Sequence, residues 1–354
     1  MSSLVQLEPL VNSTTKAFIS VLTERYVGET GGLRVCDFGK WLQFYAFDVI
    51  GELTFSKRLG FLDKGEDVDG IIELLETSLD YASIVGQIPI LDYLFKKNPV
   101  RLWASRRGLL NTSAPIVTFA LNRLEERRDE LESMATDRKS GESNASDSSQ
   151  GADFLIRYWK AHLKDPDFMT QERVLAVTVA NIDELRIGYE NGTLQPDGAL
   201  FSWMEVKDLP FLDAVIKEGL RIHPAVGLPL ERIVPPQGQQ ICGKFIPGGT
   251  TVGCSAWTLH RSSVFGEKPE EFRPRRWLDA SADQLKAMDK AFFSFGAGAR
   301  TCIGKNISLL EMYKLVPALL TTFNFDLADK EQPWTLRNSW FVKQSDFNVY
   351  IRKR

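Results

Sequence analysis

The chain has 354 residues, 44% of them hydrophobic and 25% charged, with a formal net charge of -3. This is the balance of a soluble globular protein of one large or two ordinary domains, with no global basic signal for nucleic acid and no apolar run near the length of a membrane span. The four cysteines (Cys36, Cys242, Cys254 and Cys302) are far apart and the histidines number three, which argues against a zinc site, a disulfide scaffold or a multi-histidine metal site and fits a reducing compartment.

In chain order, residues 4–26 place Leu4, Leu7, Val11, Phe18, Val21, Leu22 and Tyr26 near helical spacing, which predicts an amphipathic helix. The opening Met1-Ser2-Ser3 does not read as a signal peptide. Residues 41–55 are apolar on most faces and predict a buried helix. Residues 68–95 and 100–135 give two further helical regions, interrupted by Pro89, Pro99 and Pro115. The run from Glu125 to Glu130 reads as a solvated helix face. Residues 139–151 are low-complexity and polar, and predict a flexible surface loop inside one domain spanning 1–354. Residues 153–163 are helical, and Thr170 caps a helix that continues to Ile182. There the apolar pattern stops abruptly at Asp183.

Asp208-Leu209-Pro210 predicts the start of a helix that runs through Ile222 and ends before Pro224. Glu218 and Arg221 lie three apart and so share one helix face. Taken alone, that pair is a surface ion pair worth ~0–1 kcal/mol. Leu230 to Val234, Gln239 to Phe245 and Thr250 to Ser255 alternate around Gly/Pro turns and predict short strands. His223 and His260 read as structural histidines, not ligands. Asn324 to Leu327 and Phe347 to Ile351 predict a closing hairpin.

One stretch organises the rest: Phe295-Gly296-Ala297-Gly298-Ala299-Arg300-Thr301-Cys302-Ile303-Gly304, leading into a helical pattern carried by Ile307, Leu310 and Leu315. A cysteine near a helix N-terminus is in a setting that favours the thiolate, the form that binds iron. Arg300 offers a fork of donors suited to a carboxylate. The bland alternative is an ordinary buried thiol.

This decamer resembles the haem-binding loop of the cytochrome P-450 monooxygenases, F-x-x-G-x-R-x-C-x-G, at all five fixed positions: Phe295, Gly298, Arg300, Cys302 and Gly304. Glu218-x-x-Arg221, followed by His223-Pro224, resembles the family's E-x-x-R helix. Residues 41–62 resemble fungal members, including those related to pisatin demethylase. The resemblance implies a mainly α fold with a small β part, here incomplete, with residues 208–354 as the haem-binding proximal half. It implies haem b with Cys302 as axial ligand of the iron, Phe295 shielding the sulfur, and Gly298 and Gly304 admitting the macrocycle. Arg300 would hold a propionate; Arg232 would do so too, or would form a strand-edge salt bridge. Glu218, Arg221 and Arg276 would be structural support, and Arg273, Arg275 and Arg276 either a docking face for an electron donor or solvated arginines. The reaction implied is insertion of one oxygen atom into a small, apolar organic substrate. Electrons would come from NADPH through a reductase, at the cytosolic face of the endoplasmic reticulum membrane in full-length relatives.

The sequence departs from the family in two places. No A-G-x-[DE]-T-T-like stretch occurs, so the acid–threonine pair of the central helix is absent, with on the order of thirty residues missing at Ile182–Asp183; such a helix would span ~45 Å. No counterpart of the family's N-terminal anchor and first sheet precedes Leu4. A truncated chain that binds haem weakly or not at all therefore stays open beside the enzyme.

Overall fold

The computed structural model describes residues 6–27, 34–88, 90–95, 97–107, 200–331, 334–338 and 340–354. Helix α1 (Glu8–Tyr26) carries Pro9 in its first turn, where a missing N–H breaks no helical bond. Its buried residues Val11, Thr15, Phe18 and Leu22 form one stripe. Strand β1 (Val35–Asp37) runs into α2 (Phe38–Phe55), whose N-cap Asp37 accepts from the Lys40 amide at 3.1 Å. As its composition predicts, α2 is buried on most faces, including Phe38, Trp41, Phe44, Tyr45 and Val49. It also buries Asp48, whose carboxylate accepts from the amides of Gly60 (2.8 Å), Phe61 (3.2 Å) and Leu62 (2.8 Å) and so caps the short α3 (Phe61–Lys64). Then come α4 (Ile71–Gln87), α5 (Ile90–Leu94) and α6 (Pro99–Arg106). Pro99 opens a helix instead of breaking one, because the first turn needs no N–H from it. The expected loop at 139–151, the helices at 153–163 and from Thr170, and the Ile182–Asp183 junction lie outside the described residues.

Past residue 200 the described chain runs through α7 (Trp203–Val206), α8 (Pro210–Ile222), β2 (Leu230–Ile233), β3 (Gln239–Ile241), β4 (Lys244–Ile246) and β5 (Thr251–Cys254). It continues through α9 (Ala256–Leu259), α10 (Arg275–Leu278), α11 (Ala282–Ala291) and α12 (Lys305–Thr322). It closes with β6 (Phe323–Leu327), β7 (Thr335–Asn338), β8 (Val342–Ser345) and β9 (Asn348–Lys353). The run Gln239–Phe245, expected as one strand, is a hairpin: Cys242 (φ 49°) and Gly243 (φ 76°) turn it, pairing Gln239 with Ile246. The predicted pairing of the C-terminal strands is present, and β9 also takes β1 on its other edge, giving the antiparallel order β1-β9-β6. No described helix is long and apolar enough to cross a membrane.

Helices α1, α2, α8 and α12 share one apolar core with β6 and β9, built on Phe18, Phe44, Leu212, Ile216, Leu310 and Phe323. A satellite cluster of Ala214, Phe265, Trp277, Met288 and Ala291 lies on another face of α8. So α8 is walled on both sides, which holds Glu218 and Arg221 away from water.

One buried ion pair ties the two ends of the chain together. The Lys314 ammonium of α12 donates to Glu8 Oε1 at 2.6 Å and to the Phe201 carbonyl. Glu8 Oε1 also accepts from the Trp203 amide at 2.7 Å. Burial pushes the Lys314 ammonium below its ordinary range, against the pull of Glu8. Glu8→Gln removes the counter-charge and should lower the unfolding free energy by about 3–5 kcal/mol in urea titrations, whereas Glu8→Gln combined with Lys314→Met should recover most of that loss.

Candidate functional site at the Cys302 loop

Residues 295–304 connect α11 to α12. The loop is closed on itself by the Cys302 amide donating to the Phe295 carbonyl at 2.8 Å and the Thr301 amide donating to the Gly298 carbonyl at 3.1 Å. Gly296 (φ 68°) and Gly298 (φ 69°) both occupy the left-handed region, which an L side chain enters only with strain. Cys302 is a half-buried free thiol. It lies two residues before Gly304, the N-cap of α12, so the cysteine is next to the helix and not in its first turn. At Gly304 a Cβ would lie 3.8 Å from Cys302 Sγ, in contact with the sulfur. Phe295 is half-buried against the main core, and the Lys305 ammonium is 5.8 Å from its ring centroid.

Arg300 and Arg232 come from segments far apart in sequence, yet both line one open cleft of about 620 Å³ with Glu231, Ile233 and Thr251. The strand-edge salt bridge considered for Arg232 is not formed among the described residues; its Nη1 donates instead to the Glu231 carbonyl at 2.6 Å. Arg300 likewise has no carboxylate partner among them. The cleft thus carries two cationic forks available to an anion.

Behind the loop, the Glu218 carboxylate is fully buried and accepts five hydrogen bonds: Arg221 Nε and Nη2 and Arg276 Nε, each at 2.8 Å, the Arg273 amide at 2.7 Å and Trp277 Nε1 at 3.0 Å. Arg221 also donates to the carbonyls of His260 (2.7 Å), Pro269 (2.5 Å) and Glu271 (3.0 Å). Arg276 reaches the carbonyls of Phe265, Lys268 (3.2 Å) and Glu271 (2.9 Å). Burial pushes the Glu218 carboxyl up, but Arg221 and Arg276 outweigh it and hold the group below the ordinary carboxylate range. Of the arginines in the 273–276 segment, Arg276 is inside the protein while Arg273 and Arg275 are exposed. The helix spacing predicts the Glu218–Arg221 pair; the contributions of Trp277 and of the Arg273 backbone carry no spacing signal.

His223 and His260 are both buried. His223 Nε2 meets the Val342 carbonyl at 3.0 Å. His260 Nδ1 meets the Arg221 carbonyl at 2.9 Å, and its Nε2 accepts from the Phe293 amide at 2.8 Å. Ser294 Oγ donates to the Leu220 carbonyl at 2.8 Å. The start of the loop is therefore bonded to the end of α8.

Two predictions follow from this packing. Glu218→Gln leaves two buried guanidinium groups without a carboxylate and should reduce the unfolding free energy by about 3–5 kcal/mol, read as a lower denaturant midpoint. Burial lowers both histidines from 6.5 to about 4. Each binds a proton more readily when unfolded, so their stabilisation is complete above pH 6.5 and is lost as pH falls towards 4. The Glu218 contribution is lost only at lower pH, as its depressed folded value is crossed. Unfolding free energies from denaturant titrations should therefore fall between pH 7 and pH 5, by an amount on the order of a few kcal/mol.

A family model described as Cytochrome P450 matches residues 189–350. A cytochrome P450 monooxygenase of Aspergillus terreus (strain NIH 2624 / FGSC A1156) is 42% identical, over 92% of this chain and 68% of that protein. The cytochrome P450 monooxygenase cicH of Emericella nidulans is 36% identical, over 100% of this chain and 72% of that protein. For the cytochrome P450 monooxygenase mpaDE of Penicillium roqueforti the figures are 34%, 100% and 42%. The crystal structure of a cytochrome P450, CYP102L1, has the same fold with a TM-score of 0.67 at 17% identity, covering 100% of this chain and 75% of that one. The chain belongs to the cytochrome P450 monooxygenase family.

Proposed function

We propose that Cys302 would hold the iron of haem b through its thiolate and that the chain is a haem-thiolate monooxygenase acting on a small, apolar organic compound of fungal secondary or xenobiotic metabolism. The observation that carries this reading is that Arg300, two residues before the half-buried free thiol Cys302, lines one cleft with Arg232, neither arginine having a carboxylate partner among the described residues. The residues present fit a flat dicarboxylate macrocycle. A Cβ at Gly304 would touch Cys302 Sγ, so the glycine keeps that side of the sulfur free of its own side chain, and Arg300 and Arg232 would supply donors for two propionates. Bound there, haem would supply the redox chemistry by which one atom of molecular oxygen enters a C–H bond.

The chain's own residues do the positioning. Gly296 and Gly298 let the loop turn so that Cys302 follows Arg300 at close range, and the Cys302 amide is held by the Phe295 carbonyl. Phe295, half-buried against the main core, would shield the sulfur with an apolar ring and so limit water near a thiolate. Glu218, Arg221 and Arg276 keep the ground behind the loop rigid and take no part in the chemistry. Residues 208–354 act as the haem-binding half of a single domain. Electrons would come from NADPH through a reductase, at the cytosolic face of the endoplasmic reticulum membrane.

A second reading has its own support. The sequence lacks the acid–threonine stretch, and the alignment with mpaDE runs over 383 positions against the 354 residues here. A chain shortened within its central helix would take up haem without oxygenating anything.

The test is an absorption spectrum of the haem-supplemented protein, reduced and exposed to carbon monoxide. The expected result is a red-shifted thiolate-type band that Cys302→Ala abolishes. No haem uptake, or only a band of histidine type, overturns the ligand assignment. A thiolate band with reductant consumed but no oxygenated product selects the second reading.

A further inference from the structure

The geometry points to His260 as the positioning residue that sets where the Cys302 loop starts, by bridging it to the Glu218 cluster. This rests on the haem-thiolate reading above for its consequence, though not for its geometry. The backbone carbonyl of Arg221 can only accept and the backbone amide of Phe293 can only donate. The ring between them, at 2.9 Å and 2.8 Å, is therefore neutral with its proton on Nδ1. The backbone of the same residue is also held, its carbonyl accepting from Arg221 Nη1 at 2.7 Å. The ring stacks on Phe292 at 5.6 Å and 12° and meets Phe265 edge-on at 5.6 Å and 77°.

A continuous chain of contacts results. Glu218 fixes Arg221, Arg221 fixes His260, and His260 fixes Phe293. The Phe293 carbonyl then accepts from the Gly296 amide at 2.9 Å, and the Phe295 carbonyl accepts from the Cys302 amide at 2.8 Å. An apolar filler could replace the ring's packing but not its two opposed hydrogen bonds. A residue with a donor and an acceptor on opposite edges is needed because the end of α8 presents a carbonyl and the start of the loop presents an N–H. The displaced start of the loop would carry Cys302 with it, and an axial ligand tolerates little displacement.

The full chain is tested with two variants and two readouts. His260→Phe keeps the ring stack and removes both hydrogen bonds; His260→Gln keeps a donor and an acceptor. Amide exchange is followed across residues 292–304, α8 and α12, with and without haem, and the reduced carbon monoxide spectrum is recorded. In His260→Phe, exchange at 292–304 should accelerate on the order of tenfold while α8 and α12 keep their protection. Part of the thiolate-type band should convert to an unshifted one, and His260→Gln should restore most of both signals. Unchanged exchange at 292–304, or an unchanged thiolate fraction, overturns the proposal. So does equal loss of protection in all three segments with no recovery in His260→Gln, which would make His260 a general stabiliser. If the wild type itself gives no thiolate-type band, the haem-thiolate reading falls, and the exchange data alone still decide whether His260 holds the loop.

Discussion

A single buried carboxylate carries the proximal part of this molecule. Glu218 has no access to water, so its charge must be met entirely from inside, and five donors do so. Two of the groups that meet it are themselves cations that would be intolerable there alone. Each guanidinium then uses its remaining N–H groups on carbonyls of the segment between Phe265 and Glu271 or on His260. A stretch of chain with little regular structure is thereby held through its backbone oxygens. This explains how an irregular segment serves as rigid backing for the Cys302 loop: its polar backbone groups are satisfied by arginine forks instead of by a helix or sheet ladder.

The loop itself inverts that design. Its donors and acceptors are few, its backbone turns through glycines, and the Cys302 thiol is left free. Rigidity comes from its ends: one is tied to α8 through His260 and Ser294, and the other is the N-cap of α12. A loop pinned at both ends and open in the middle is the kind of support that the proposed role of Cys302 requires.

Much of this was legible in the sequence because it depends on local spacing. The amphipathic stripe of α1, the apolar α2, the proline-started α8 and the cysteine decamer each follow from neighbours within a few residues. Arg232 and Arg300 could be matched to family positions, but their meeting in one cleft is a tertiary fact with no local sign. The same is true of Trp277 and the Arg273 amide at Glu218. His260 was legible as structural and illegible as a bridge, because its partners are backbone atoms and backbone atoms leave no trace in composition. The hairpin at Cys242–Gly243 was missed because alternation continues through the turn and conceals the change of direction.

The way the chain's ends meet has a consequence for how the protein is made. Glu8 pairs with Lys314, 306 positions later, and β1 pairs with β9, the last strand. Contacts of such separation form late, since the entropy of closing the chain must be met before they stabilise anything. During synthesis, α1 and α2 emerge long before α12 and β9, with which they share the main core. Until then the core that holds Phe18, Phe44 and Trp41 is incomplete, a condition in which sticky intermediates and a need for chaperones are expected.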